Sequence, residues 1–125
     1  MRAPALLVRL AALSAFLAVA FGAFAAHGAK DARAVELLHT GALYQMTHAL
    51  AAIAWLALAR LAGKPTGAGP WLFLAGTALF SGSLYAMAFG APSWLGMITP
   101  LGGLAFLAGW LTLAWRAASL VEDQA

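Results

Sequence analysis

Three long runs in this chain contain no Asp, Glu, Lys or Arg, and they restrict the possible folds more than any other feature. The runs cover residues 10–29, 37–59 and 65–115. About 20 helical residues cross the hydrocarbon core of a bilayer, which is about 30 Å thick. The first two runs therefore each match one span, and the third is long enough for two spans joined by a turn.

The composition agrees with a bilayer as the solvent. Of the 125 residues, 64% are hydrophobic and 9% are charged, whereas soluble domains carry about 25% charged residues. In lipid, backbone polar groups must be satisfied inside the protein, which favours helices. The sequence therefore predicts an all-α integral membrane protein, a four-transmembrane-helix bundle forming a single membrane domain over residues 1–125. The predicted spans cover about residues 8–27, 37–60, 71–89 and 97–116.

Glycine and proline mark the connections between these spans. The clearest break is Ala62–Pro70, and a second lies at Gly90–Gly96, because Gly and Pro in this density favour loops. Asp31 is a suitable N-cap for the second helix. Thr99 is predicted to cap the fourth helix, with Pro100 as its first helical residue.

The first apolar run is open to a second interpretation, a secretory signal peptide. Arg2 and Arg9 would form its basic region, and the small residues of Ala23–Ala25 would fit a cleavage site. The apolar run is longer than the 7–15 residues usual in signal peptides. An intact first span is therefore the favoured interpretation.

The distribution of basic residues predicts the orientation in the membrane. Four spans place both termini and the Ala62–Pro70 connection on one side. That side carries Arg2, Arg9, Arg60, Lys64 and Arg116, whereas the other carries Lys30 and Arg33. Cytoplasmic loops carry an excess of Lys and Arg. We therefore expect a multi-pass protein of the cell inner (plasma) membrane with both termini in the cytoplasm.

Polar residues are concentrated in the second span and before it. At 100° per residue, one helix face collects Arg33, Glu36, Thr40, Gly41, Tyr44 and His48, with Gln45 at its edge. This face could carry protons or small solutes inward, since histidine titrates near neutrality. Alternatively, Tyr44 and His48 could bind the second helix to the fourth. No second carboxylate lies inside a span to extend a path, which favours the second interpretation.

Neither a metal site nor an enzyme is predicted. His27, His39 and His48 lack metal-ligand spacing, the chain has no cysteine, and no cofactor is expected. Ser81 or Ser83 could act as a nucleophile with His48 as its base, but no buried acid is present to orient the histidine.

Glycines are expected to line the helix contacts, because small residues let membrane helices approach closely. The predicted packing glycines are Gly22, Gly41, Gly76, Gly82, Gly102, Gly103 and Gly109. Trp55 and Trp110 lie deep inside predicted spans, where they are expected to face lipid or to pack between helices.

Four segments in order resemble one family. They are Gly22–Gly28, Thr40–Leu50, Leu79–Tyr85 and Ile98–Gly103. Together they are similar to the YgdD/YwdK-like family of small four-span inner-membrane proteins of unknown function, which has a eukaryotic transmembrane relative. The resemblance implies four helices and an intact first span. It also singles out as matching special positions His27, Tyr44, Gln45, His48, Ser83, Tyr85, Thr99 and Pro100.

The helix face and the resemblance together define the candidate polar cluster or binding residues. They are His27, Glu36, Thr40, Tyr44, Gln45, His48, Ser83, Tyr85 and Thr99. The sequence predicts a small structural, interaction or lipid-binding membrane protein, with a proton- or solute-conducting protein as the alternative and a membrane enzyme as the least favoured class. Expected partners are membrane lipids and a second copy or a larger membrane complex. Nucleic acid is not expected, because the seven Lys and Arg residues are scattered.

Overall fold

The computed structural model describes residues 2–122 and contains four long α-helices. They are α1 (Ala3–His27), α2 (Ala32–Ala62), α3 (Gly69–Ala88) and α4 (Thr99–Val121), with a short 3-10 helix (Ser93–Met97) before α4. Each of α1, α2 and α3, and the 3-10 helix together with α4, is long and apolar enough to cross a membrane. The predicted all-α, four-span fold is confirmed.

The start of α2 follows local sequence rules. The Asp31 carboxylate accepts a hydrogen bond from the backbone N–H of Ala34 at 3.1 Å, so the predicted N-cap is confirmed. This bond satisfies one of the free N–H groups that every helix leaves at its start. At the other end, Gly63 adopts a left-handed conformation with φ of 66°, which glycine tolerates without strain.

The start of α4 differs from the prediction. Ile98 occupies the N-cap, Thr99 is the first helical residue and Pro100 the second. The 3-10 helix runs directly into α4, so Ile98 is already helical in its backbone angles. The Thr99 hydroxyl lies 2.5 Å from the hydroxyl of Ser83 on α3. The prediction of Thr99 as a cap was wrong because a partner on another helix binds its side chain.

The helices pack mainly in chain order. α1 packs on α2, α2 on α3, and α3 on α4, while α4 also touches α2. Contact between α1 and α3 is slight, and α1 and α4 make none within residues 2–122. α2 and α3 therefore form the inside of the bundle, and they bury a larger share of their residues than α1 and α4. This arrangement leaves lengthwise grooves between helices that are open to the membrane.

Four of the seven predicted packing glycines lie where a neighbour leaves no room for a side chain. They are Gly41, Gly76, Gly102 and Gly109. At the α3–α4 contact, a Cβ on Gly76 would lie 2.6 Å from Phe106 Cδ1, and one on Gly102 would lie 2.6 Å from the Gly76 carbonyl oxygen. These glycines set how closely α4 approaches α3.

The other three predicted packing glycines are less restricted. A Cβ on Gly22 would make an ordinary contact of 3.7 Å with Ala42, and one on Gly82 or Gly103 would meet no atom within 4 Å. The expectation of helix packing does not hold for Gly82 and Gly103, because each faces a groove rather than a neighbouring helix.

The end of the bundle near Ala62–Pro70 is held by two large side chains. Trp55 is fully buried, and its ring fills the space where Gly69 would carry a Cβ. Arg116 of α4 donates hydrogen bonds from its two terminal nitrogens to the carbonyl oxygens of Thr66 at 2.8 Å and Pro65 at 2.7 Å. The connection between α2 and α3 is therefore tied to the end of α4.

Candidate functional site

A groove of about 460 Å³ runs between α1 and α3 and has α2 as its floor. We call it the α1–α3 groove. Most of its lining is apolar, and its polar lining residues are Ser14, Gln45, Thr77, Ser81 and Tyr85. Because α1 and α3 make few contacts with each other, the groove between them is open at the apolar surface of the bundle.

One glutamine joins the three helices around this groove. Gln45 Nε2 donates to Ser14 Oγ at 3.1 Å, and the Tyr85 hydroxyl donates to Gln45 Oε1 at 2.6 Å. Only 5% of Gln45 is exposed. We call Ser14, Gln45 and Tyr85 the Gln45 cluster. It links α1, α2 and α3 by hydrogen bonds inside the membrane, where such bonds hold helices together.

A second pair of contacts positions Tyr85 in the cluster. The Ser81 hydroxyl donates to the backbone carbonyl of Gly41 at 2.7 Å. The Tyr85 ring lies over the same glycine, so that a Cβ there would be 2.5 Å from Tyr85 Cε1. Glycine at position 41 therefore lets the ring lie against α2 and places the Tyr85 hydroxyl beside Gln45.

The Gln45 cluster keeps two hydrogens for which residues 2–122 supply no acceptor. A glutamine amide has two N–H donors and each hydroxyl has one. One amide hydrogen goes to Ser14 and the tyrosine hydrogen goes to Gln45, which leaves the second amide hydrogen and the Ser14 hydroxyl hydrogen. Exchanging the amide nitrogen and oxygen would free the tyrosine hydrogen instead of the serine one, and the number would stay two.

The remaining hydroxyls of the groove are already used. Thr77 donates to the carbonyl of Phe73 at 2.9 Å, and Ser81 donates to Gly41. The two free hydrogens are thus confined to the Gln45 cluster, at one point along the groove.

His48 lies on the other side of α2, in a second groove of about 640 Å³ next to α4. We call it the α2–α4 groove. The imidazole stacks on Phe106, with ring centroids 3.6 Å apart and an angle of 9° between the planes. Its Nδ1 lies 2.7 Å from the Tyr44 carbonyl oxygen, and the Trp110 indole donates to its Nε2 at 3.1 Å. His48 thereby joins α2 to α4.

These partners determine which histidine nitrogen carries the hydrogen. A carbonyl oxygen only accepts and an indole N–H only donates, so Nδ1 carries the hydrogen and Nε2 is the acceptor. Both ring nitrogens are occupied, and neither is free to bind a metal ion or to pass a proton along the helix.

The predicted polar face of the second helix is divided by the packing. Gln45 faces α1 and α3, His48 faces α4, and Glu36, exposed, lies with Thr40 around a separate surface depression that also includes His39. A 31-residue helix buried on more than one side presents different faces to different neighbours. The face does not form one continuous buried path.

The remaining predicted residues, Ser83, Thr99 and His27, line neither groove. Ser83 donates to the Phe80 carbonyl at 2.9 Å and pairs with Thr99, which joins α3 to the start of α4. His27 is exposed at the end of α1. Among residues 2–122, no three His, Cys, Asp or Glu side chains come together as a metal site would require.

Sequence reasoning missed Ser14 and the hydrogen bond made by Trp110. Ser14 is the one hydroxyl residue of α1, which is a weak signal that would have placed it against a polar neighbour. Trp110 was expected to face lipid or to pack. It is 42% exposed, yet its N–H binds His48, and nothing in the local sequence indicates which helix it meets.

Comparison with known proteins gives one consistent result. A profile described as "Protein of unknown function (DUF423)" matches residues 21–103. A UPF0382 membrane protein of Haemophilus influenzae is 46% identical over 109 residues, covering 85% of this chain and 88% of the relative. The UPF0382 membrane protein YwdK of Bacillus subtilis is 43% identical over 116 residues, covering 86% and 92%.

The name of a relative from a third species specifies the inner membrane. The UPF0382 inner membrane protein YgdD of Escherichia coli is 46% identical over 106 residues, covering 80% of this chain and 79% of the relative. No solved structure matches the chain significantly.

Proposed function

Because this chain belongs to the DUF423 family, whose relatives are named UPF0382 membrane proteins, we propose that it is a small structural protein of the inner membrane that binds lipid in the α1–α3 groove. The observation that carries the proposal is the groove itself. It opens to the bilayer, has apolar walls, and has a polar floor of linked side chains.

The apolar walls suit the chain of a lipid. Leu10, Leu13 and Leu17 line the α1 side, and Leu74 lines the α3 side. Lipid tails are as apolar as these walls, so a lipid chain in the groove gains packing contacts rather than hydrophobic free energy. We therefore expect the groove to hold lipid that exchanges with the bilayer.

Proton or solute conduction is the alternative, and the residues it needs are poorly arranged for it. Glu36 is exposed, and both nitrogens of His48 are engaged by a carbonyl oxygen and an indole N–H. A relay would have to break the bond to Trp110 at each transfer. The proposal includes no catalytic step, and a structural protein needs none.

Native mass spectrometry of the protein released from nanodiscs tests lipid binding. We expect the chain to retain lipid, and we expect Gly82→Leu to reduce the retained lipid at least fivefold. Gly82 borders the α1–α3 groove, and a Cβ at this position would meet no atom within 4 Å. A leucine there would therefore fill the groove without displacing a helix.

Gly103→Leu is the matched control. Gly103 is equally open but borders the α2–α4 groove, so this variant should retain lipid like the wild type. Equal retention by the wild type and Gly82→Leu would overturn the proposal. The same spectra give the number of subunits, which tests the expected association with a second copy.

A further inference from the structure

The two free hydrogens of the Gln45 cluster lie deep in the membrane. Gln45 follows Glu36 by nine residues and precedes Arg60 by fifteen, which is about 13 Å and about 22 Å along the helix axis. Ser14 Oγ lies 3.1 Å from Gln45 Nε2 in the direction of the first amide hydrogen, so the second amide hydrogen and the Ser14 hydroxyl hydrogen are directed to separate acceptor positions. Water is scarce at this depth, and each unsatisfied polar group costs several kcal/mol in hydrocarbon.

The group that either hydrogen fits is a carbonyl oxygen, which accepts hydrogen bonds and brings no donor of its own. The ester carbonyls of ordinary membrane lipids lie with the headgroups at the edge of the hydrocarbon core, about 10 Å too far out. A quinone has ring carbonyls on an uncharged molecule with an apolar tail. It can therefore bring a carbonyl to the middle of the bilayer.

Aromatic side chains also line the groove beside the Gln45 cluster. The rings of Phe21 and Tyr85 stack, with centroids 4.0 Å apart and an angle of 22° between their planes, and both residues line the α1–α3 groove. Aromatic rings pair favourably in such offset arrangements. The leucines of α1 that line the same groove provide an apolar surface for the tail.

We infer that the α1–α3 groove binds a membrane quinone, with one ring carbonyl accepting a hydrogen bond from a free hydrogen of the Gln45 cluster. The inference rests on the proposed function, since it names the ligand class of the same groove. It requires binding alone, and no electron transfer is part of it.

A pair of probes tests the carbonyl directly. Decyl-benzoquinone carries ring carbonyls, and decylbenzene has the same tail on a ring without oxygen. One hydrogen bond of the usual net strength corresponds to roughly a fivefold preference. We therefore expect the wild-type protein to bind decyl-benzoquinone about fivefold more tightly than decylbenzene, as measured by titration with native mass spectrometry.

The Ser14→Ala/Gln45→Leu/Tyr85→Phe triple variant removes both free hydrogens and the tyrosine hydrogen that loss of Gln45 would release, and we expect the preference to fall to about twofold or less. Its affinity for decylbenzene reports whether the groove is still folded and open. The comparison of the two probes on the wild type needs no substitution, so equal affinity for the two would overturn the inference even if the triple variant does not fold.

The outcomes separate this inference from the proposed function. Equal affinity of the wild type for the two probes, or a preference that survives in the triple variant, would overturn quinone binding at the Gln45 cluster. Lipid retention that Gly82→Leu reduces would still support the groove as a lipid site. If Gly82→Leu changes the binding of neither probe and of no lipid, both the inference and the proposed function fail.

Discussion

The role of Gln45 in joining helices depends on side chains that are distant from it in sequence. The helical projection places it at the edge of a polar face, and that placement is correct for α2 alone. Its central position comes from Ser14 and Tyr85, which lie 31 and 40 residues away. Local sequence identifies a polar residue inside a span as important, but it does not indicate which helices that residue joins.

Tyr85→Phe should destabilise the fold by about 1 kcal/mol, the usual scale of a hydrogen bond between membrane helices. The substitution removes the donor to Gln45 Oε1 and leaves that buried oxygen without its partner. Reversible unfolding in mixed micelles measures the change. Thr47→Ala is the control, because the Thr47 hydroxyl is exposed and bonds only within α2. Equal losses for the two variants would contradict the role of the Gln45 cluster.

His48 should occur as the tautomer with hydrogen on Nδ1. Its two partners, the Tyr44 carbonyl and the Trp110 indole, are compatible with no other neutral form. The ¹⁵N chemical shifts of the labelled ring distinguish the two nitrogens. Trp110→Phe should shift the Nε2 resonance and leave Nδ1 nearly unchanged. A ring with its hydrogen on Nε2 in the wild type would show that the Trp110 bond does not form.

At the scale of the helices, what could be predicted depended on whether the determining contact was local. Asp31 caps α2 through its own neighbour in sequence, and its role was predicted correctly. Thr99 was predicted to do the same for α4, but Ser83 of another helix binds its hydroxyl. Glycines show the same division, because Gly102 and Gly103 are adjacent in sequence and only one of them faces α3.

Gly102→Ala should destabilise the α3–α4 contact by about 1–3 kcal/mol, the usual cost of an overpacked core. The new methyl group would lie 2.6 Å from the Gly76 carbonyl oxygen, which is backbone and cannot rotate away. Gly103→Ala is the matched control and should be nearly neutral. Unfolding in mixed micelles compares the two variants, and similar stability would mean that α3 and α4 do not approach this closely.

For the molecule as a whole, the number of spans follows from the uncharged runs, whereas the arrangement of the helices does not. Hydropathy determines how many helices cross the bilayer. It carries no information on the slight contact between α1 and α3 that opens the α1–α3 groove. The apolar surfaces of α1 and α4 resemble those of the buried helices in composition, so only the folded arrangement reveals which of them faces lipid.

The orientation can be tested with single cysteines, since the chain has none of its own. We expect Lys30→Cys, in the α1–α2 connection, to react with a membrane-impermeant maleimide in intact spheroplasts. Lys64→Cys, in the α2–α3 connection, should react only after permeabilisation, because the excess of basic residues places that side in the cytoplasm. The opposite pattern of labelling would place both termini outside.

Because each helix packs mainly on the one before it, the order of synthesis can also be the order of assembly. As the chain leaves the ribosome, α1 and α2 can form a hairpin joined by Ser14 and Gln45 before α3 is inserted. Until α3 is inserted, Gln45 Oε1 lacks the hydrogen-bond donor that Tyr85 provides in the folded protein. The tyrosine bond therefore joins the α1–α2 hairpin to the second half of the protein once α3 is in place.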